Sequence, residues 1–146
     1  METAFVEPWT RLLPTTESVN PLVPTIEVVL IGAEGRLQCE TFLVDSGADI
    51  SLAPRGLCDA LGLDWNAGQP TRLNGISPRP ECAVEARVFE IEFLIPAASI
   101  SVAVPVCFAD GDTSQILGRE GFFDCFRIEF DKPNFEIGRA SCRERV

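Results

Sequence analysis

Residues 41–51 read TFLVDSGADIS, an apolar run that ends in an acidic residue followed by three small ones. The residues up to Val44 are of types that favour β-strands, and the small residues that follow permit a tight turn. The stretch therefore predicts a strand that ends in a short loop with the carboxylate of Asp45 at its tip. Gly47 lets this loop turn sharply, and Ala48 keeps bulk away from the carboxylate.

An aspartate in this setting has two interpretations. Asp45 can cap its own loop by accepting hydrogen bonds from the amides of Gly47 and Ala48. Alternatively it is a functional carboxylate, because an acidic group at the end of a buried strand is costly unless it is paired, hydrogen-bonded or used. The motif alone does not decide between them, since short motifs recur by chance.

A second motif follows later in the chain, where residues 115–124 read QILGREGFFD. Two apolar residues and a glycine precede a short amphipathic stretch. Taken in this order, the Asp45 loop and the Ile-Leu-Gly-Arg of residues 116–119 resemble the retropepsin-like (retroviral-type) aspartic protease family. The resemblance covers residues 25–137 and implies an all-β fold, a retropepsin-like acid protease closed barrel with one or two short helices.

The resemblance also implies a role for each matching residue. Asp45 is the expected catalytic residue, and its loop is expected to be supported by Ser46, Gly47, Ala48, Asp49 and Arg119. The flap (a mobile hairpin over the substrate) and the substrate-binding positions are expected to include Asn74, Gly75, Ile76, Ile116, Leu117 and Gly118.

Two of these roles have simpler alternatives. An ion pair between Asp49 and Arg119 would clamp the loop, whereas two solvated surface charges would contribute little. The Ser46 hydroxyl is expected to bond across a subunit interface, or else within its own turn.

The chain contains a single Asp-Ser-Gly, and one carboxylate cannot act as base and acid together in peptide hydrolysis. By resemblance, the second carboxylate comes from a homodimer in which two copies of Asp45 meet at a two-fold axis. Two carboxylates about 3 Å apart share one proton, so the ionised one can activate water while the other donates to the scissile carbonyl. The expected activity is that of an aspartic endopeptidase, with a peptide or protein substrate and no cofactor.

Two alternatives to a protease remain at this point. The first is a non-catalytic peptide-binding or dimerisation module on the same fold, because fold does not guarantee function. The second is a small structural β-domain whose Asp loop is a coincidence.

The flap sequence departs from the family pattern. Pro78 and Pro80 follow the Asn74-Gly75 turn signal, so the returning strand is not expected to pair fully there, unlike in a glycine-rich flap.

Composition excludes several classes. With 46% hydrophobic and 23% charged residues among 146, the chain is expected to fold as one domain. A net charge of −10 disfavours a nucleic-acid partner. The sequence has six scattered cysteines and no histidine, so no metal is expected, and Cys39, Cys58, Cys107 and Cys125 are interpreted as core residues. Without a long apolar run or a basic leader, the prediction is a cytoplasmic protein with no membrane partner.

Along the chain, residues 1–20 are interpreted as an N-terminal arm, either packed on a body or partly ordered. Residues 21–137 form the expected protease domain, and residues 138–146 read as a non-native, adapter-derived tail. Within the domain, the pattern predicts a hairpin over 25–44, a short helix within 54–63 and a helix around 119–126. The apolar set of residues 82–95 shifts by one position, which indicates a bulge, a bend or a change of partner strand.

Overall fold

The computed structural model describes residues 6–8, 10–11, 22–73, 84–111, 113–134 and 136–138. These residues form twelve β-strands: β1 Val6–Pro8, β2 Thr10–Arg11, β3 Leu22–Val23, β4 Thr25–Ile31, β5 Leu37–Val44, β6 Ser51–Pro54, β7 Gln69–Leu73, β8 Val84–Ile95, β9 Ile100–Ala109, β10 Ile116–Leu117, β11 Glu129–Asp131 and β12 Glu136–Gly138. The helical elements are α1 Arg55–Ala60, two 3₁₀ turns at Ala33–Gly35 and Trp65–Ala67, and an irregular helical segment at Arg119–Phe123.

Seven of these strands form the main sheet, in the order β4-β5-β10-β6-β9-β8-β7. An additional pairing between β4 and β8 closes the first six into a ring, so only β7 lies outside it. The short β10 is inserted between β5, to which it is parallel, and β6, to which it is antiparallel. The expected all-β fold is confirmed, and the insertion of β10 brings the two sequence motifs together.

The ring encloses one large apolar core. Phe42 and Phe93 are fully buried and pack edge to face, with ring centroids 5.5 Å apart. Burial raises the pKa of the Cys58 thiol to about 11, so this side chain is a neutral core residue at neutral pH. Cys107 is also buried, whereas Cys39 is exposed, and the prediction that Cys39 is a core residue was wrong.

The one-residue shift in β8 has a simple explanation. β8 pairs with β9 in an unbroken register from Ala86↔Ala109 to Ile95↔Ile100, so the predicted bulge is absent from the described strand. On its other edge β8 pairs with β7 over Val84–Val88 and with β4 over Glu92–Leu94. Its two faces contact different apolar clusters: Ile91 faces the large core, and Ala86 a smaller cluster with Cys107.

The register of the hairpin formed by β7 and β8 differs from the one that its sequence suggests. A two-residue turn at Asn74-Gly75 would place Leu73 opposite Ile76. Leu73 instead pairs with Val84, which leaves residues 74–83 to connect the strands. The flap positions Asn74, Gly75 and Ile76 therefore lie outside the described residues.

The predicted helix around residues 119–126 is irregular. Gly121 has a φ of 82°, and its amide donates to the Asp124 carboxylate at 3.0 Å. A left-handed residue cannot continue a right-handed helix, so the segment is interrupted at Glu120 and Gly121, the two residues with non-helical backbone angles. A Cβ at Gly121 would lie 2.6 Å from Cδ of Pro105, so close packing also requires glycine there.

The ends of the described chain form a separate three-stranded sheet in the order β1-β12-β11. Val6 pairs with Gly138 and Gly138 with Glu129, which joins part of the N-terminal arm to the C-terminal hairpin. Gly138, assigned from sequence to the non-native tail, thus ends a strand of this sheet. Among the described residues, no helix is long and apolar enough to cross a membrane.

Candidate active site

The Asp45 loop begins where β5 ends and presents a half-buried carboxylate. Oδ1 of Asp45 accepts a hydrogen bond from the Gly47 amide at 2.9 Å, whereas the Ala48 amide donates to the Asp45 carbonyl at 3.3 Å. The Asp45 carboxylate thus caps its loop through the Gly47 amide alone, and not through both predicted amides. Oδ2 of Asp45 accepts no hydrogen bond from the described part of the chain, and the neighbouring Ser46 and Gly47 are exposed. The carboxylate is therefore oriented through Oδ1, and Oδ2 has no hydrogen-bond donor among the described residues.

Residues 115–120 fix this loop through main-chain hydrogen bonds. The Asp45 amide donates to the Leu117 carbonyl at 3.0 Å. In return, the amides of Arg119 and Glu120 donate to the carbonyls of Ala48 and Asp49, each at 2.9 Å. The Asp45 carboxylate is therefore positioned by a segment distant in sequence, as expected for a preorganised site.

Gly118 lies directly under the loop. Its amide donates to the hydroxyl of Ser51 at 3.0 Å in a buried contact. A Cβ at Gly118 would lie 2.6 Å from the carbonyl carbon and oxygen of Ile50, so no larger residue fits. Sequence reasoning assigned Gly118 to substrate binding, but in this chain it packs against the loop backbone. Ser51 was missed, and its only signal in the sequence was a polar residue at the start of an apolar strand.

Asp49 and Arg119 form an ion pair beside the loop. Their side chains are 87% and 55% exposed respectively, so the pair stabilises the isolated chain little. The main-chain bonds already hold the two segments together.

An apolar surface adjoins the loop. Ile116 is half-buried and pairs with Leu52, which is also half-buried. Leu117 is fully buried in the main core, so of the two residues expected at a cleft only Ile116 is accessible. Leu52 was not singled out from the sequence. Half-buried apolar residues around the loop, within the described ranges, thus include Ala48, Ile50, Leu52 and Ile116.

An arginine and tryptophan cluster supports the base of the β7–β8 hairpin. The guanidinium carbon of Arg55 lies 4.1 Å from the ring centroid of Trp65, and that of Arg87 lies 5.3 Å from it. Arg55 also pairs with Asp110 at 3.1 Å. These contacts join α1 to the 3₁₀ turn at Trp65–Ala67, to β8 and to Asp110, which directly follows β9. The sequence pattern gave no signal for them, because the partners are far apart in the chain.

No group of three or more His, Cys, Asp or Glu side chains is arranged to hold a metal ion in the described ranges. What the site offers chemically is one oriented carboxylate, beside exposed loop residues and half-buried apolar side chains. A single carboxylate can take up or release one proton, but it cannot act as base and acid in the same step. The arrangement gains a base and an acid together only if a second carboxylate is added.

The fold defined by this barrel and inserted strand is retropepsin-like. The chain is similar to the crystal structure of a retropepsin-like aspartic protease from Rickettsia conorii, with a TM-score of 0.62, 16% sequence identity and 97% of each chain covered. It also matches the EIAV protease complexed with the inhibitor HBY-793, with a TM-score of 0.46, 21% identity, and 72% of this chain and 88% of that chain covered. No protein-family model matches the sequence. No curated protein matches it.

Proposed function

We propose that the chain is an aspartic endopeptidase that is active as a homodimer. The observation that carries the proposal is the Asp45 carboxylate, oriented through Oδ1 by the Gly47 amide on a loop that main-chain hydrogen bonds fix to residues 115–120. A retropepsin-like fold alone would not imply activity. The proposal adds that the missing second carboxylate is Asp45 of another copy.

In the proposed dimer the two Asp45 carboxylates share one proton. The ionised one takes a proton from a water molecule whose oxygen attacks the scissile carbonyl carbon. The protonated one donates to the carbonyl oxygen, giving a neutral tetrahedral intermediate. Collapse of this intermediate breaks the C–N bond as the nitrogen receives a proton. No group beyond water and the two carboxylates is needed to balance the step.

The proposed enzyme assigns a role to each of several residues around Asp45. Ser46 would hydrogen-bond to the loop of the other copy, and Gly47 would offer its carbonyl to the substrate backbone. Ile116 and Leu52 would contact substrate side chains, so apolar residues are expected near the cleaved bond. Asn74, Gly75 and Ile76 would belong to the hairpin that covers the substrate.

The dimer makes activity depend on protein concentration. As the protein is diluted through its dimer dissociation constant, specific activity per chain is expected to fall with the dimer fraction, since each active site needs two chains. Sedimentation equilibrium gives the dimer fraction, and cleavage of an unfolded protein substrate at the same concentrations gives the activity. Constant specific activity in a fully monomeric sample would contradict the proposal.

A further inference from the structure

The short strand β10 has little pairing of its own. Among the described residues, Ile116 and Leu117 pair with β5, and Ile116 alone pairs with β6. The Leu117 carbonyl nevertheless accepts a hydrogen bond from the Asp45 amide at 3.0 Å. The position of the Asp45 loop therefore depends on the position of β10, and contacts at the ends of this short strand matter for the site.

Gln115 anchors the start of β10 to β5 at three points. Its carbonyl accepts from the Leu43 amide at 2.9 Å, which continues the parallel pairing by one residue. Nε2 of its side chain donates to the Thr41 carbonyl at 2.9 Å and to Oε2 of Glu40 at 3.3 Å. Both acceptors lie on the part of β5 that precedes its pairing with β10, so the side chain extends the contact along β5.

The strand register explains why the Gln115 side chain reaches these groups. Ile116 pairs with Leu43, which places Gln115 opposite Phe42. Alternate residues of a strand share a face, so Glu40 lies on the same face as Phe42. Phe42 is fully buried, whereas Glu40 and Gln115 are half-buried. The Gln115 amide therefore lies at the border between the core and the solvent, beside the Glu40 carboxylate.

The chemistry of the two partners determines what the side chain at this position must supply. A main-chain carbonyl and an ionised carboxylate are both acceptors, and an amide NH₂ carries one donor for each of them. Glu27 on β4 and Glu40 line the same groove as Gln115, and no lysine or arginine among the described residues lines it. Gln115 is therefore a neutral donor in an acidic setting.

We infer that Gln115 is a positioning residue for Asp45. Its side chain holds the start of β10 against β5, and β10 holds the Asp45 amide through the Leu117 carbonyl. Displacement of a reacting group by about 1 Å can lower a rate by about 10²-fold, so this anchor affects the alignment of two carboxylates. The effect on cleavage rests on the proposed function, whereas the effect on the loop does not.

Hydrogen exchange in the full chain tests the anchor without any assay of activity. Gln115→Glu keeps the size and shape of the side chain but replaces both donors with acceptors. It is expected to speed exchange of the Leu43 and Asp45 amides about tenfold at pH 7, which corresponds to the loss of about one net hydrogen bond. Exchange of the Leu30 amide in β4 should be unchanged, because the barrel itself remains folded.

Two further variants separate the loss of donors from other effects of the substitution. Gln115→Lys retains donors for both acceptors, so exchange of the Asp45 amide should stay within threefold of wild type. Gln38→Glu adds the same charge on the same strand, at a half-buried residue two positions before Glu40. It should leave exchange of the Asp45 amide within twofold of wild type.

Cleavage of an unfolded protein substrate provides the second measurement. At pH 7, Gln115→Glu should lower kcat about tenfold with KM within threefold of wild type, because no group proposed to contact substrate is removed. The introduced carboxyl keeps its proton to a higher pH than an isolated one, because it lies beside the Glu40 carboxylate. Once protonated it can donate to the Thr41 carbonyl. The ratio of variant to wild-type activity should therefore rise from pH 7 to about pH 4.5.

Unchanged exchange of the Asp45 amide in Gln115→Glu would overturn the inference. Equal acceleration of this exchange by Gln115→Lys would overturn it too, because the donors would then not matter. An activity ratio that stays constant with pH would show that Gln115 acts by packing and not by donating. Exchange that changes as expected in a chain whose wild type cleaves no substrate would support the anchor and contradict the proposed function instead.

Discussion

Asp45→Asn is expected to lower kcat/KM for cleavage of an unfolded protein substrate by about 10³-fold, because an amide can neither activate water nor donate the required proton. Asn retains a side-chain oxygen for the Gly47 amide, which Asp45 holds at 2.9 Å, so the loop should keep its conformation. Cleavage is measured for both proteins from about pH 3.5 to 7.5, where a shared-proton pair titrates. Wild type should give a bell-shaped profile.

Asp59→Asn provides the matched control. Asp59 is exposed on α1, so the same change of charge and shape there should leave activity within twofold of wild type. Equal cleavage by wild type and Asp45→Asn would point to a contaminating protease and remove the case for Asp45. Absence of cleavage by both, with a folded dimer, would favour the alternative of a peptide-binding or dimerisation module.

Gly118→Ala is expected to lower the free energy of unfolding by about 2 kcal/mol and to reduce activity with it. The new methyl carbon would lie 2.6 Å from the Ile50 carbonyl, and overpacking of this kind costs about 1–3 kcal/mol. The effect is steric, because the Gly118 φ of −93° is available to any residue. Relief of the clash must move the loop backbone or β10, and both position Asp45. Urea unfolding measures the change in stability.

Gly56→Ala is the matched control for this substitution. Gly56 is exposed within α1, and a Cβ there meets no atom within 4 Å. Alanine in a helix is more stable than glycine by about 0.5–1 kcal/mol, so this variant should gain stability. Unchanged stability of Gly118→Ala would show that the loop is not packed as described.

Local signals in the sequence predicted the elements that lead to the site. The β-branched run of β4, the glycine-containing turn and the apolar run of β5 predict a hairpin, and β4 and β5 pair from Thr25↔Leu43 to Ile31↔Leu37. The predicted helix within 54–63 corresponds to α1. These elements are determined by residues that are neighbours in the sequence, so the hydrophobic pattern and the turn residues were sufficient to predict them.

Features that depend on contacts between residues far apart in the sequence were harder to predict. Asn74-Gly75 favours a two-residue turn, but the pairing of Leu73 with Val84 is set by the whole β7–β8 register. Leu117 could not be told from Ile116 by composition, and only the insertion of β10 makes one buried and the other half-buried. Ser51 became identifiable only when Gly118 was placed beside it.

The sequence predicted which residues belong to the site but not how they are arranged in space. The two motifs indicated that Asp45 and residues 116–119 act together, and the main-chain bonds between them explain how. The Gln115 side chain donates to Glu40 and to the Thr41 carbonyl, which are far from it in the chain, so no single stretch of sequence indicated these contacts. The same limitation applies to the stacking of Arg55 and Arg87 on Trp65.

In the proposed dimer, one active site contains Asp45 from each of two chains. Mixing of active and inactive subunits tests this arrangement. Wild-type and Asp45→Asn chains are mixed in equal amounts, allowed to exchange, and assayed for cleavage. Random exchange leaves about a quarter of the dimers with two wild-type chains, so activity per wild-type chain should fall to about half. Excess Asp45→Asn should drive it towards zero. Activity that stays constant per wild-type chain, with exchange verified, would contradict the account.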